Sequence, residues 1–218
     1  PVSNKNYQDV ISEPGKKSIN LGLGETSINR KVNNLDIIIK TCTGVQLVSQ
    51  NKKRIFEKDK SEYTFRTVNS LINAAHHLKK RFKELKIKFT ILDVNSPEIH
   101  IKKILDNINK KGFEVEYLSV NIDKNSTDNM STTMASIRHS FNLAKKCKDL
   151  IYFVEDDYIH KNEALTEMLF AYEKFCSIFQ SEIFILSTDY PYLYKKMNNS
   201  SILIGENIHW RSVNESLL

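Results

Sequence analysis

Three consecutive carboxylates, Glu155-Asp156-Asp157, follow directly on the apolar run Ile151-Tyr152-Phe153-Val154. Crowding three acids together is unfavourable unless a cation or a basic group neutralises them. A hard divalent ion such as Mg²⁺ or Mn²⁺ takes one or two carboxylates and fills its other positions with water and phosphate oxygens. A nucleoside diphosphate supplies such oxygens. The competing reading is a solvated acidic loop, or one that complements the dipole of a following helix. The place of the cluster, at the carboxyl end of a buried strand-like run, favours the ion.

Further along, Asp189, Glu206 and Glu215 are carboxylates able to take a proton from an attacking hydroxyl. Asp189 lies in Ser187-Thr188-Asp189-Tyr190-Pro191-Tyr192, directly after another β-rich run and beside aromatic rings of the kind that stack on sugars. A turn aspartate before a proline explains it equally well. Glu206, in Ile204-Gly205-Glu206-Asn207, also suits a turn. Arg66, near the start of the first helical pattern, is either a phosphate contact or a surface arginine.

These residues need a frame that brings them together. Short β-rich runs occur at 35–42, 87–94, 113–120, 149–154 and 182–187, several of them apolar on both faces. Helical patterns alternate with them. Val68, Leu71, Ile72, Ala75, Leu78 and Phe82 make one stripe, and Ile101, Ile104, Leu105 and Ile108 a second, opened by Ser96-Pro97 and closed by Gly112. Met134, Ile137, Phe141 and Ala144 make a third, and Leu165 through Phe179 a fourth, opened by Asn162. The order β-α-β-α-β-α-β-α-β predicts a mostly parallel sheet with its chemistry at the carboxyl ends of the strands. Residues 1–34 are polar and turn-rich and are expected to form an N-terminal arm or lead-in.

The composition sets the outer limits. With 218 residues, 40% of them apolar and 27% charged, the chain suits one generous soluble α/β domain. Three scattered cysteines, Cys42, Cys147 and Cys176, make neither a disulfide framework nor a zinc site. They are expected to be reduced and structural, in a cytoplasmic protein. No apolar run approaches the roughly 20 residues of a bilayer span, and no signal-peptide pattern opens the chain. The net charge of +6 comes largely from lysines on helix faces, such as Lys79, Lys80, Lys102, Lys103, Lys110 and Lys111. They read as a solvated surface, or as an attraction to a phosphorylated donor or an anionic membrane face. No basic stripe interleaved with aromatics and no helix-turn-helix pattern points to nucleic acid. The opening at Pro1 rather than Met is read as a trimmed chain or a fragment.

Val154-Glu155-Asp156-Asp157 resembles the DXD element of GT-A glycosyltransferases, and the element order from Leu35 to Trp210 is similar to that family, of the family 2 type. The resemblance implies a three-layer GT-A fold over residues 35–218, shorter at the C-terminus than is usual there. It implies a sugar passing from a nucleoside-diphosphate-sugar donor to an acceptor hydroxyl of a glycan, lipid or polysaccharide precursor, with Mg²⁺ or Mn²⁺. Asp157 maps to the usual metal ligand, and Asp156 and Glu155 to acids that touch ribose or metal-bound water. Glu155 stands where a strict DXD has Asp. Thr41 and Thr43, after the first strand, map to the loop along the nucleoside, and Asp93 to the acid that meets the nucleobase. Arg66 and Arg138 become candidate phosphate contacts. His209, beside the only tryptophan, maps to a late histidine that reaches the metal or the diphosphate in some members. Asp189 is then the candidate base of an inverting transfer. Peripheral membrane contact is expected, and nucleic acid is not.

Two other classes stay open: a GT-A-like domain that binds a glycan or partner without turnover, and a nucleotidyltransferase. The latter is disfavoured by a first loop, Thr41-Cys42-Thr43-Gly44, with a single glycine.

Overall fold

A computed structural model describes residues 27–44, 58–120, 129–188 and 201–212. The chain divides into two compact units, one formed by residues 32–166 and the other by 1–31 with 167–218.

The first unit is a parallel sheet. Strands β1 (Asn34–Thr41), β2 (Lys86–Asp93), β3 (Glu114–Ser119) and β4 (Leu150–Glu155) lie in the order β3-β2-β1-β4. Helices α1 (Lys60–Arg81), α2 (Glu98–Lys110) and α3 (Asn129–Ala144) connect them. The architecture is the predicted α/β one, a parallel sheet flanked by helices and consistent with a Rossmann-like GT-A fold.

The isoleucine run of β1 explains its central place. Ile37, Ile38 and Ile39 are all buried, so both faces of the strand must be covered. Ile38 packs with Leu92, Val94 and Val120, and Ala135 and Leu143 of α3 close over that face. On the other face Phe89 meets Phe113, which meets His76 of α1, at centroid distances of 5.3 and 4.7 Å. Each fully buried side chain of this size contributes roughly 1.5–3 kcal/mol.

In α1 the buried stripe Val68, Leu71, Ile72, Ala75 and Leu78 faces the core, with Glu62 in the first turn and Lys79, Lys80 and Arg81 in the last. Each of these charges is favourable to the dipole. The helix begins eight residues before that stripe, so Arg66 lies in its second turn rather than at its head. α2 ends as predicted at Gly112, where Gly112 N donates to Asn109 O and Phe113 N to Ile108 O. Its start differs from expectation. Pro97, whose ring carries no hydrogen-bonding group, is the N-cap, and the Ser96 hydroxyl donates to Asp93 instead of capping the helix.

The second unit holds most of α4 (Ala164–Phe179) and a small antiparallel hairpin, β5 (Ile202–Ile204) with β6 (His209–Arg211). The strand expected at 182–187 does not form. Phe184 is fully exposed, and Glu182 bonds Arg30 and the Tyr172 hydroxyl instead of entering a ladder. Arg30 also lies over the Tyr172 ring at 5.5 Å. The lead-in is held to α4 through Ser177 Oγ, which accepts from the amides of Asn29 and Arg30.

Candidate functional site

The sheet order 3-2-1-4 reverses direction between β1 and β4, and in open α/β sheets ligands bind outside the carboxyl ends of the strands at that point. The ends that meet there are Lys40-Thr41-Cys42-Thr43 and Glu155-Asp156-Asp157. Lys40 lies opposite Glu155 in the register, and Thr41 opposite Asp93 on the other side.

The three acids have different surroundings. Glu155, its side chain 55% exposed, pairs with Lys40 Nζ at 2.5 Å from Oε1. Asp156 is buried. Its Oδ2 accepts from Cys42 N at 3.2 Å and Thr64 Oγ1 at 3.0 Å, with Lys60 Nζ at 3.6 Å. Asp157 is exposed in the turn that follows β4. Lys40 and Lys60 thus neutralise two acids of the cluster from within the chain, a role that the run of acids alone left to a metal or an unspecified basic group.

Asp93 is 1% exposed and fully engaged. Oδ1 accepts from Thr41 Oγ1 at 2.7 Å and Ser96 Oγ at 2.5 Å, and Oδ2 accepts from Ser96 N at 3.0 Å. Asn95 between them takes the left-handed conformation, with φ 60°, which asparagine tolerates. In this structure the Asp93 carboxylate therefore holds the turn after β2. Ser96 Oγ in turn accepts from Thr43 N at 2.8 Å, and Thr43 Oγ1 bonds His100 Nδ1 at 3.0 Å. A Cβ on Gly44 would overlap Asn95 O outright, so only glycine lets the two loops approach this closely.

Asp93 and Asp156 thus fasten the β1 loop from opposite sides, across 52 and 114 residues of sequence respectively. His100, Thr64, Lys40 and Lys60 are site residues that sequence reasoning missed. Lys40 and Glu155 carry the only available signal, a basic and an acidic residue each at the end of an apolar run.

Arg66 is exposed and its Nε donates to Glu62 at 2.8 Å, one turn earlier on α1. Arg138 is exposed on α3. Asp189 lies outside the described residues, and the strand meant to carry it to the sheet edge is absent. His209 is exposed on β6 in the second unit. Its neighbour Trp210 is turned to structure, donating through Nε1 to Glu167 at 3.1 Å. Among the described residues no group of three or more His, Cys, Asp or Glu side chains is placed to hold a metal ion. Of the triplet, Glu155 and Asp157 are exposed, and Glu155 is engaged by Lys40.

His160, two residues beyond Tyr158, is half-buried. Its Nε2 bonds Tyr152 Oη at 2.8 Å, and its buried Nδ1 has no partner among the described residues. Burial lowers its pKa, against a smaller opposing effect of the nearby Tyr158 backbone. Burial raises the Cys147 thiol to about 11, with Asp36 adding to the shift, so this cysteine is unreactive. All three cysteines are free.

No protein-family model matches the chain, and no curated protein matches it. Among solved structures it is similar to the crystal structure of S. aureus TarS, with a TM-score of 0.36 and 16% identity over 62% of this chain. The match covers 18% of the TarS chain, so this chain spans a small part of that protein, and a likeness at this level carries no argument about activity. No helix among the described residues is long and apolar enough to cross a membrane.

Proposed function

We propose that the chain is a glycosyltransferase domain that moves a sugar from a nucleoside-diphosphate-sugar to an acceptor hydroxyl. The observation that carries this reading is the position of Glu155-Asp156-Asp157 at the β1/β4 switch point of a parallel sheet, beside a loop fastened by buried carboxylates. Glu155 and Asp157 would hold Mg²⁺ or Mn²⁺, which when bound offsets charge on the leaving diphosphate. Asp93 and Asp156 position the segment 41–43 along which the nucleoside would lie, with Thr43 as a contact. Arg66 and Arg138 are assigned to phosphate. The acceptor is a glycan, lipid or polysaccharide precursor.

A second reading has its own support. Lys40 and Lys60 already balance Glu155 and Asp156, as they would in a domain that binds a nucleotide or glycan without an ion and without turnover.

Calorimetric titration with UDP and GDP, with and without Mn²⁺, on the wild type and Asp157→Ala separates the two. The transferase reading expects metal-dependent binding of one nucleotide that disappears in Asp157→Ala. Binding indifferent to Mn²⁺ and to the substitution supports the second reading. No binding of either nucleotide under any condition sinks both.

A further inference from the structure

Between α1 and α2 lies a groove of about 440 Å³, within the range of ligand-sized sites. Its base is apolar, formed by the buried Val68 and Ile104 and the ring of Phe65. Its rim is basic: Lys102, Lys103 and Lys110 line it against a single carboxylate, Asp106. Among the described residues no carboxylate lies within ion-pair distance of any of these lysines. Lys103 is held in place, its Nζ 3.9 Å from the Phe65 ring centroid, so one cation is preorganised over the groove. Ile99, at the mouth, is 73% exposed, leaving a large apolar side chain in water beside a charged rim.

We propose that this groove docks a short acidic peptide segment of a partner protein, with an aliphatic or aromatic side chain of that segment seated against the exposed Ile99. Charge complementarity selects the occupant, since an apolar floor under three lysines without ion pairs matches an apolar anchor flanked by carboxylates. Length agrees: from Ile99 to Lys110 along α2 is ~16 Å at ~1.5 Å per residue, the reach of about five residues of extended chain. A membrane surface fits less well, because a concave groove with one exposed isoleucine offers little to insert into a bilayer. The proposal is independent of any nucleotide chemistry.

The test is selection from a random dodecapeptide display library on the wild-type protein, with counter-selection on Lys102→Glu/Lys103→Glu/Lys110→Glu. Enriched peptides are expected to carry acidic residues beside Leu, Ile or Phe. A synthetic peptide of the enriched sequence should bind at least tenfold more weakly to the triple variant, several-fold more weakly to Ile99→Ala, and more weakly as salt is raised. The triple Lys→Gln variant serves if the charge reversal lowers the melting temperature. Enrichment of peptides without acids, or of peptides that bind the lysine variants equally well, overturns the proposal. So does lysine-dependent binding to phosphatidylserine–phosphatidylcholine vesicles with no peptide enriched, which would assign the rim to a membrane.

Discussion

Asp156 shows how much one carboxylate can organise. It accepts from the backbone of the β1 loop and from α1, with Lys60 nearby as counter-ion. Asp156→Ala leaves Thr64 Oγ1 and Cys42 N without this acceptor in a buried setting, and each such loss costs about 1–3 kcal/mol. The variant is expected to lose about 2–4 kcal/mol, read from the urea midpoint at unchanged slope. A midpoint within about 0.5 kcal/mol of wild type would show that these bonds do not hold the loop. His160 gives a pH-dependent prediction. Because its folded-state pKa lies below the ordinary 6.5, the unfolded chain binds the proton more readily. Its contribution to stability is therefore complete above about pH 6.5 and is lost as the pH falls through and below that value. Melting temperatures at about pH 7.5 and 5.5 should differ more in the wild type than in His160→Gln. Equal differences would remove His160 as the cause.

At the scale of elements, the β5–β6 hairpin depends on one residue of α4. Glu167 is buried, and it accepts from Glu206 N at 2.9 Å, Asn207 N at 2.8 Å and Trp210 Nε1 at 3.1 Å. Burial raises the pKa of such an acid, but these donors together outweigh it and hold Glu167 below its ordinary value. The bonds contribute fully above about pH 4.5 and are lost as acid protonates the carboxylate. Gly205 is what permits the approach. A Cβ there would overlap Glu167 Oε1 and lie 2.7 Å from Ile208 O, the acceptor of the hairpin turn. Gly205→Ala is expected to cost roughly 1–3 kcal/mol. Amide exchange of residues 202–211 should accelerate while that of β1 and β2 is unchanged. Protection equal to wild type would mean that the turn accommodates the methyl group.

At the scale of the whole molecule, the parallel sheet and the acidic turn belong to one compact unit, and the hairpin with His209 to the other. The nucleotide titration has a counterpart at this scale. A ligand that binds only the folded protein, at about 100 times its Kd, stabilises it by ~2.7 kcal/mol. UDP or GDP with Mn²⁺ is therefore expected to raise the melting temperature of the wild type and not of Asp157→Ala. A shift of equal size in both proteins would place the nucleotide away from the acidic turn.

The four strands of the sheet, the four helices and the acidic cluster were legible in the sequence. Hydrophobic period is a local property, and the consecutive apolar residues Ile37–Ile39 and Ile91-Leu92 already required cover on both faces. The run at 182–187 has the same local signature and forms no strand, because a strand also needs a partner, and Glu182 is drawn to Arg30 and Tyr172. Which acid of the triplet faces inward, and that Lys40 and Lys60 balance two of them, depends on strand order. That order places β4 beside β1, although their paired residues stand more than a hundred positions apart in the chain. Local pattern carries the elements; contacts over such separations, decided only when the sheet assembles, give each carboxylate its neighbours.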